Sequence, residues 1–82
     1  VKFPTEFTLK VIGTNDDTFL SDVLNVVGEC ADKPVSSIRH SVKETSSGAY
    51  LSVTVTCVFT SASQLYKTYE CVGKDKRVKY VI

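Results

Sequence analysis

Tyr50-Leu-Ser-Val-Thr-Val-Thr-Cys-Val-Phe59 is the stretch that decides the fold. Leu51, Val53, Val55, Cys57 and Phe59 share one parity, and Ser52, Thr54 and Thr56 hold the other. Successive side chains of a strand point to opposite faces, so the pattern predicts a strand with one buried and one wet face. A hydroxyl-lined strand is not a catalytic motif. The stretch therefore speaks to architecture more than to chemistry.

Upstream, Thr45-Ser-Ser-Gly48 has turn chemistry. Before it, Ile38, His40 and Val42 alternate with Arg39, Ser41 and Lys43, which predicts a more polar strand at an edge, with His40 on the inward parity. Downstream, Ser61-Ala-Ser-Gln64 has the pattern of a capping box. Ala62, Leu65, Tyr66, Tyr69 and Val72 follow at helical spacing, Gly73 suits the position just past a helix end, and Lys74 to Arg77 bring cations to its negative end. Val78-Lys-Tyr-Val-Ile82 reads as a closing strand.

At the front, Phe7, Leu9 and Val11 put one face of a strand over Phe7–Ile12 toward a core, with Pro4 ahead of it where a missing donor does no harm. Gly13-Thr-Asn-Asp16 is a turn. Asn15 or Asp16 can cap the next helix, and Asp17 complements its dipole. Phe19, Leu20, Val23, Leu24, Val27 and Cys30 form that helix's buried stripe, with Gly28 on the solvent side. Ala31 to Val35 is a linker that Pro34 keeps out of the helix.

The order is βαββαβ. Two split β-α-β halves with right-handed connections give an α+β, ferredoxin-like fold. It has a four-stranded antiparallel sheet in the order 4-1-3-2 and both helices on one face. Residues 1–82 make one domain. A chain this short buries only about 60% of its unfolded surface, which leaves room for one core and little for a deep cavity.

Composition excludes little. The formal net charge is +1, so bulk charge implies neither a nucleic-acid nor a membrane partner. No apolar run approaches the ~20 residues of a membrane span, and no secretory signal is present. The chain has no Met, so its natural start is expected to lie outside it. The expected location is the cytoplasm, or an organelle such as a plastid if a targeting peptide once preceded the chain. Cys30, Cys57 and Cys71 lack C-x-x-C spacing, which argues against a zinc or dithiol redox motif and favours a reducing compartment.

Candidate chemistry is sparse. His40 is the one imidazole, and spacing places no carboxylate to orient it, so a partly buried structural role is the plainer account. Asp16 and Asp17 are explained as cap and dipole residues before any metal need be invoked. No phosphate-binding glycine loop exists. No catalytic residue, metal ligand or cofactor is therefore expected. Cys71 falls off the stripe of the second helix, with Lys67 and Lys74 near it, and is a candidate exposed reactive thiol.

The open sheet face is the most suggestive surface. Strand parity gathers Lys10, Arg39, Lys43 and Lys79 there around Thr54, with Ile12, Val58 and Val81 as its apolar members. The first helix carries Asp16, Asp17, Asp22 and Glu29 and no cation, so charge is segregated although the total is near neutral. Such a face suits an acidic partner, an anionic ligand or self-association. RNA-binding sheets stack bases on exposed aromatics, and with aliphatics expected here nucleic acid is an unlikely partner.

Phe3-Pro-Thr-Glu-Phe7, Ser46-Ser-Gly-Ala-Tyr50 running into Ser52-Val-Thr-Val55, and the closing Val78-Lys-Tyr-Val-Ile82 resemble the YbeD-like family of small uncharacterised proteins. The likeness spans essentially the whole chain. It implies a ferredoxin-like fold close to that of ACT regulatory domains, and no established activity. Bacterial relatives are often encoded beside lipoate-attachment enzymes, so the resemblance implies an accessory role linked to lipoate metabolism. Amino-acid-binding ACT domains typically carry Asp-x-x-Gly-Leu where the first helix begins. Here Asp16-Asp-Thr-Phe-Leu20 stands in that place, with Thr18 or Phe19 where the Gly is expected. The reading is a non-enzymatic interaction or regulatory domain that works through its open sheet or edge strand. The alternative is an ACT-type small-ligand sensor using the turn of Gly13, Asn15, Asp16 and Asp17.

Overall fold

A computed structural model describes residues 2–82. The elements are β1 (Thr5–Thr14), α1 (Phe19–Ala31), a short 3-10 turn (Val35–Ser37), β2 (Arg39–Glu44), β3 (Tyr50–Phe59), α2 (Ala62–Gly73) and β4 (Val78–Val81). The sheet order is β2-β3-β1-β4, with every neighbouring pair antiparallel. This is the expected βαββαβ arrangement, read from the opposite edge.

Alternation in the two central strands builds the core. Leu9 lies opposite Val55 and Val11 opposite Val53, all essentially without solvent contact. Phe19, Val23, Val27, Leu65 and Val72 close over them from the helices. β1 is longer than alternation alone predicts, because β3 pairs with it from Thr5 opposite Phe59 to Thr14 opposite Tyr50. Phe3 and Phe7 stack with ring centroids 5.9 Å apart and pack on the core edge, a structural reason for the Phe3-Pro-Thr-Glu-Phe7 segment.

Four expectations need correction. β2 is exposed along its whole length, and His40 is solvent-facing rather than partly buried. α1 packs over β1 and β3, and β2, paired to β3 alone, lies beyond that cover. Gly28 is buried, not solvent-facing, because the chain after α1 folds back on it: a Cβ there would stand 2.9 Å from the Lys33 carbonyl oxygen. In α2 the stripe runs through Thr68, not Tyr66, which is exposed. Thr68 tolerates full burial because its hydroxyl donates to the Gln64 carbonyl at 2.9 Å. Gly73 ends α2 without a left-handed residue; that conformation closes α1 instead, at Asp32 (φ 56°, ψ 49°).

Half of the expected capping box forms at the N-cap Ser61, and the reciprocal bond shifts one residue back to Thr60. The Gln64 amide donates to Ser61 Oγ at 3.1 Å, and Gln64 Oε1 accepts from the Thr60 amide at 2.7 Å. A bulge interrupts β4. Ile12 pairs with Tyr80 while Gly13 pairs with Val78, so Lys79 is an extra residue on that strand. Strict alternation cannot anticipate it, and it changes which side chains reach the open face.

Candidate functional site

Two regions gather polar chemistry, and they lie at different places on the fold. The first is the open sheet face. Lys10 stands opposite Thr54, which stands opposite Ser41. Lys43 lies opposite Ser52 and Arg39 opposite Thr56. All four cations expected there, Lys79 included, are exposed on this face. Arg39 is compensated by an ion pair with Glu6. Among the described residues, Lys10, Lys43 and Lys79 have no ion-pair partner. Thr8 and Thr56 join hydroxyls across the strands at 3.0 Å.

The apolar part of the face differs from expectation. Val81 pairs with Val11 and packs against the core, so it leaves the open face. The bulge turns both Lys79 and Tyr80 outward in its place. Tyr80 and Tyr50, with Ile12, Thr45 and Lys79, line a cleft of about 300 Å³. The Lys79 ammonium stands 5.9 Å from the centre of the Tyr50 ring, within reach of its negative face. Tyr50 was legible, since it shares the parity of Ser52 and Thr54. Tyr80 was not, because the bulge shifts its side.

The second region is the turn that opens α1. Arg77 is its centre, 23% of its side chain exposed. Its guanidinium reaches Asp75 at 2.6 Å, Asp22 at 2.7 Å, Thr18 at 2.9 Å and Asp16 at 3.3 Å, and lies 5.3 Å over the Phe19 ring. The bonds from Thr18, backbone first, and then Arg77 hold the Asp16 carboxyl below its ordinary value. Arg77's side-chain bonds do the same for Asp75. The sequence reading put Arg77 at the end of α2 and left α1 without a cation; the fold brings Arg77 to the start of α1, where it pairs with Asp16 and Asp22.

The candidate ligand turn is thereby occupied by the chain itself. Asn15 Nδ2 donates to the Gly48 carbonyl at 2.8 Å and toward Glu44 at 3.4 Å, tying the turn to the β2–β3 hairpin. Asp16 is engaged as described. Gly13 is covered, since a Cβ there would meet the Phe19 ring at 2.4 Å. Asp17 stands exposed. Among the described residues, no group of three His, Cys, Asp or Glu is arranged to hold a metal. A wider groove of about 560 Å³ runs beside the end of α1, lined by Asn25, Gly28, Glu29 and Asp32 to Val35, apart from both regions.

Cys71 is half-buried and not the exposed thiol expected. Cys30 is likewise half-buried, and Cys57 is buried in β3.

A βαββαβ sheet with two helices on one face is the architecture of ACT-like domains. The ACT domain of a GTP pyrophosphokinase from Chlorobium tepidum superposes with a TM-score of 0.70 at 14% identity, over 95% of this chain and 97% of that one. A solution structure of a protein from H. pylori matches with a TM-score of 0.79 at 19% identity, over 100% of this chain and 85% of the other. By sequence the chain belongs to the family described as "Protein of unknown function (DUF493)", whose model matches residues 1–82. The resemblance to YbeD-like proteins stands accordingly. The UPF0250 protein of Janthinobacterium sp. (strain Marseille) is 34% identical over 82 residues, covering 100% of this chain and 89% of that protein. The UPF0250 protein of Shewanella piezotolerans is also 34% identical, covering 100% of this chain and 90% of its own length.

Proposed function

We propose that the chain is a non-enzymatic interaction domain whose open sheet face docks an acidic protein partner. The observation that carries this is the pairing, on one face, of three uncompensated lysines with an aromatic cleft. Buried aromatic anchors supply most of the energy of a protein interface, and surrounding charges set association rate and specificity. Tyr50 and Tyr80 fit the first role; Lys10, Lys43 and Lys79 fit the second. Charge complementarity favours an acidic partner over a second copy of the same face, which would set lysines against lysines. A net charge of +1 gives little long-range pull on a polyanion, which weighs against nucleic acid despite the two tyrosines. A regulatory or accessory role of this kind requires no catalytic group. His40, exposed on the β2 edge, lies outside the Tyr50–Tyr80 cleft. A link to lipoate metabolism would be one instance of such a role and rests on the family resemblance alone.

An ACT-type ligand sensor is the second reading, supported by the likeness to an ACT domain. It would require the Gly13 to Asp17 turn to release Asn15 and Asp16 from their present bonds.

The test is the double substitution Lys10→Glu/Lys79→Glu. Against an acidic partner it should weaken binding, mainly by slowing association, and flatten the salt dependence, while the fold persists because both side chains are solvated. Unchanged affinity and salt slope would move the functional surface to the turn.

A further inference from the structure

The bulge in β4 brings three kinds of chemistry into one small space. Ile12, half-buried, is the least exposed residue lining the cleft, and Tyr80 lies directly opposite it on β4. Tyr50 stands two residues along β3 from Ser52, the residue opposite Ile12. Lys79 lines the same cleft, its ammonium 5.9 Å from the centre of the Tyr50 ring, with no ion-pair partner among the described residues. Thr45 Oγ1 accepts the Tyr50 amide at 3.3 Å, which leaves the hydroxyl proton to turn to an anion. Apolar walls with one unpaired cation and one hydroxyl fit a group that carries hydrocarbon and negative charge close together. Size narrows the choice. At about 300 Å³ the cleft stands at the bottom of the range for small-molecule sites, so it takes one residue rather than a cofactor. Such a volume is about 7 Å across, and an extended chain presents its next side chain on the same face only ~6.8 Å further on. A side-chain carboxylate flanking an internal apolar residue would therefore fall at the rim. The α-carboxylate of a last residue shares a Cα with its side chain, so the two enter together.

We propose that the Tyr50–Tyr80 cleft captures the C-terminus of the acidic partner. The partner's last side chain, an apolar one, lies against Ile12 and the two rings, and its α-carboxylate bonds to the Lys79 ammonium and the Thr45 hydroxyl. This rests on the docking role of the open face and says which part of the partner the cleft holds. Capture of a terminal carboxylate is a recurrent mode of peptide recognition. Register then orients the tail. Lys10 precedes Ile12 by two residues on β1, ~6.8 Å away on the same face. A tail running back along β1 sets the side chain two residues before its end over Lys10, and an acidic residue belongs there. Lys43 lies about 10 Å from Ile12, two strands across through Ser52, and draws the acidic tail in without fixing its end.

The test is a calorimetric titration of the folded protein with one peptide, acetyl-Glu-Asp-Glu-Asp-Ala-Leu, as the free acid and as the C-terminal amide. The acid should bind about tenfold more tightly than the amide, as a charge-assisted bond requires. Lys79→Gln should bring the acid down to the amide. Lys10→Gln should keep the acid-to-amide ratio and remove the preference for Asp over Asn two residues before the end. Both lysines are exposed, so the fold persists in each variant. Equal binding of acid and amide, both weakened by Lys10→Glu/Lys79→Glu, would overturn capture of the chain end and leave the open face as the docking surface. Equal binding untouched by those reversals would remove the docking face as well. A preference for the acid that survives Lys79→Gln, or no binding of either peptide at millimolar concentration, would also overturn the proposal.

Discussion

Gly13→Ala probes the join between β1, α1 and the loop before β4, and the structure fixes its sign. A Cβ at Gly13 would lie 2.4 Å from Phe19 Cζ and 2.7 Å from the Arg77 carbonyl oxygen. Neither neighbour yields easily. Phe19 is fully buried, and its ring would have to retreat by about 1 Å into a filled core. The Arg77 carbonyl accepts the Thr14 amide at 2.9 Å and is pinned by it. Overpacking of this kind costs about 1–3 kcal/mol, and the entropy advantage of Ala over Gly returns only about 0.4–1 kcal/mol. The net loss is about 1–2 kcal/mol. For a domain of this size each kcal/mol moves the thermal midpoint by about 4–8 °C, so a fall of roughly 4–16 °C is expected. Gly73→Ala is the matched control. Nothing lies within 4 Å of its would-be Cβ, and Ala is favoured there by helix propensity, so that variant should gain about 0.5–1 kcal/mol. Thermal and urea denaturation of both variants, with Phe19→Leu added to Gly13→Ala as a partial rescue, make the comparison. A Gly13→Ala protein as stable as its parent would show that the Phe19 ring does not pack against Gly13.

Three further outcomes are expected. Val55→Ala, at the centre of the buried face of β3, should cost about 1–3 kcal/mol in chemical denaturation; an unchanged midpoint would contradict the face assignment. On acidification, Asp16 and Asp75 matter because both carboxyls titrate below the ordinary 3.8 when folded. Their contribution is whole above that value and is lost as pH falls through the lower folded values, so Arg77→Met should flatten stability against pH below about 4; an equally steep acid limb in both proteins would refute the Arg77 cluster. At the alkaline end, burial first of all raises the Cys57 thiol above 9.0. Stability should therefore decline as pH rises through the folded value, and Cys57→Ala should remove that part of the decline; an identical alkaline limb would place Cys57 outside the core.

The strands, both helices and their order were legible because hydrophobic period and capping chemistry agree along most of the chain. What escaped was set by tertiary geometry. Whether the inward parity of β2 is covered depends on where α1 lies, so His40 and Val42 could be assigned a face but not a burial. The bulge at Lys79 breaks alternation with no turn residue to mark it, which cost Val81 its expected place and hid Tyr80. Arg77 belongs by sequence to the end of α2, yet its length carries the guanidinium to carboxylates more than fifty residues away in the chain. Of the candidate site, the lysine set was readable from parity alone; the aromatic cleft beside it was readable only for Tyr50.

The docking role is tested most directly by photo-cross-linking in a lysate of the native host. A benzophenone side chain is placed at Thr54, at the centre of the open sheet, and in a second protein at Asn25, on the helix layer. The expected result is a discrete adduct with an acidic protein from position 54 alone, lost when Lys10→Glu and Lys79→Glu are added. An adduct from position 25 alone, or one at 54 that survives both charge reversals, would contradict an acidic partner bound to this face.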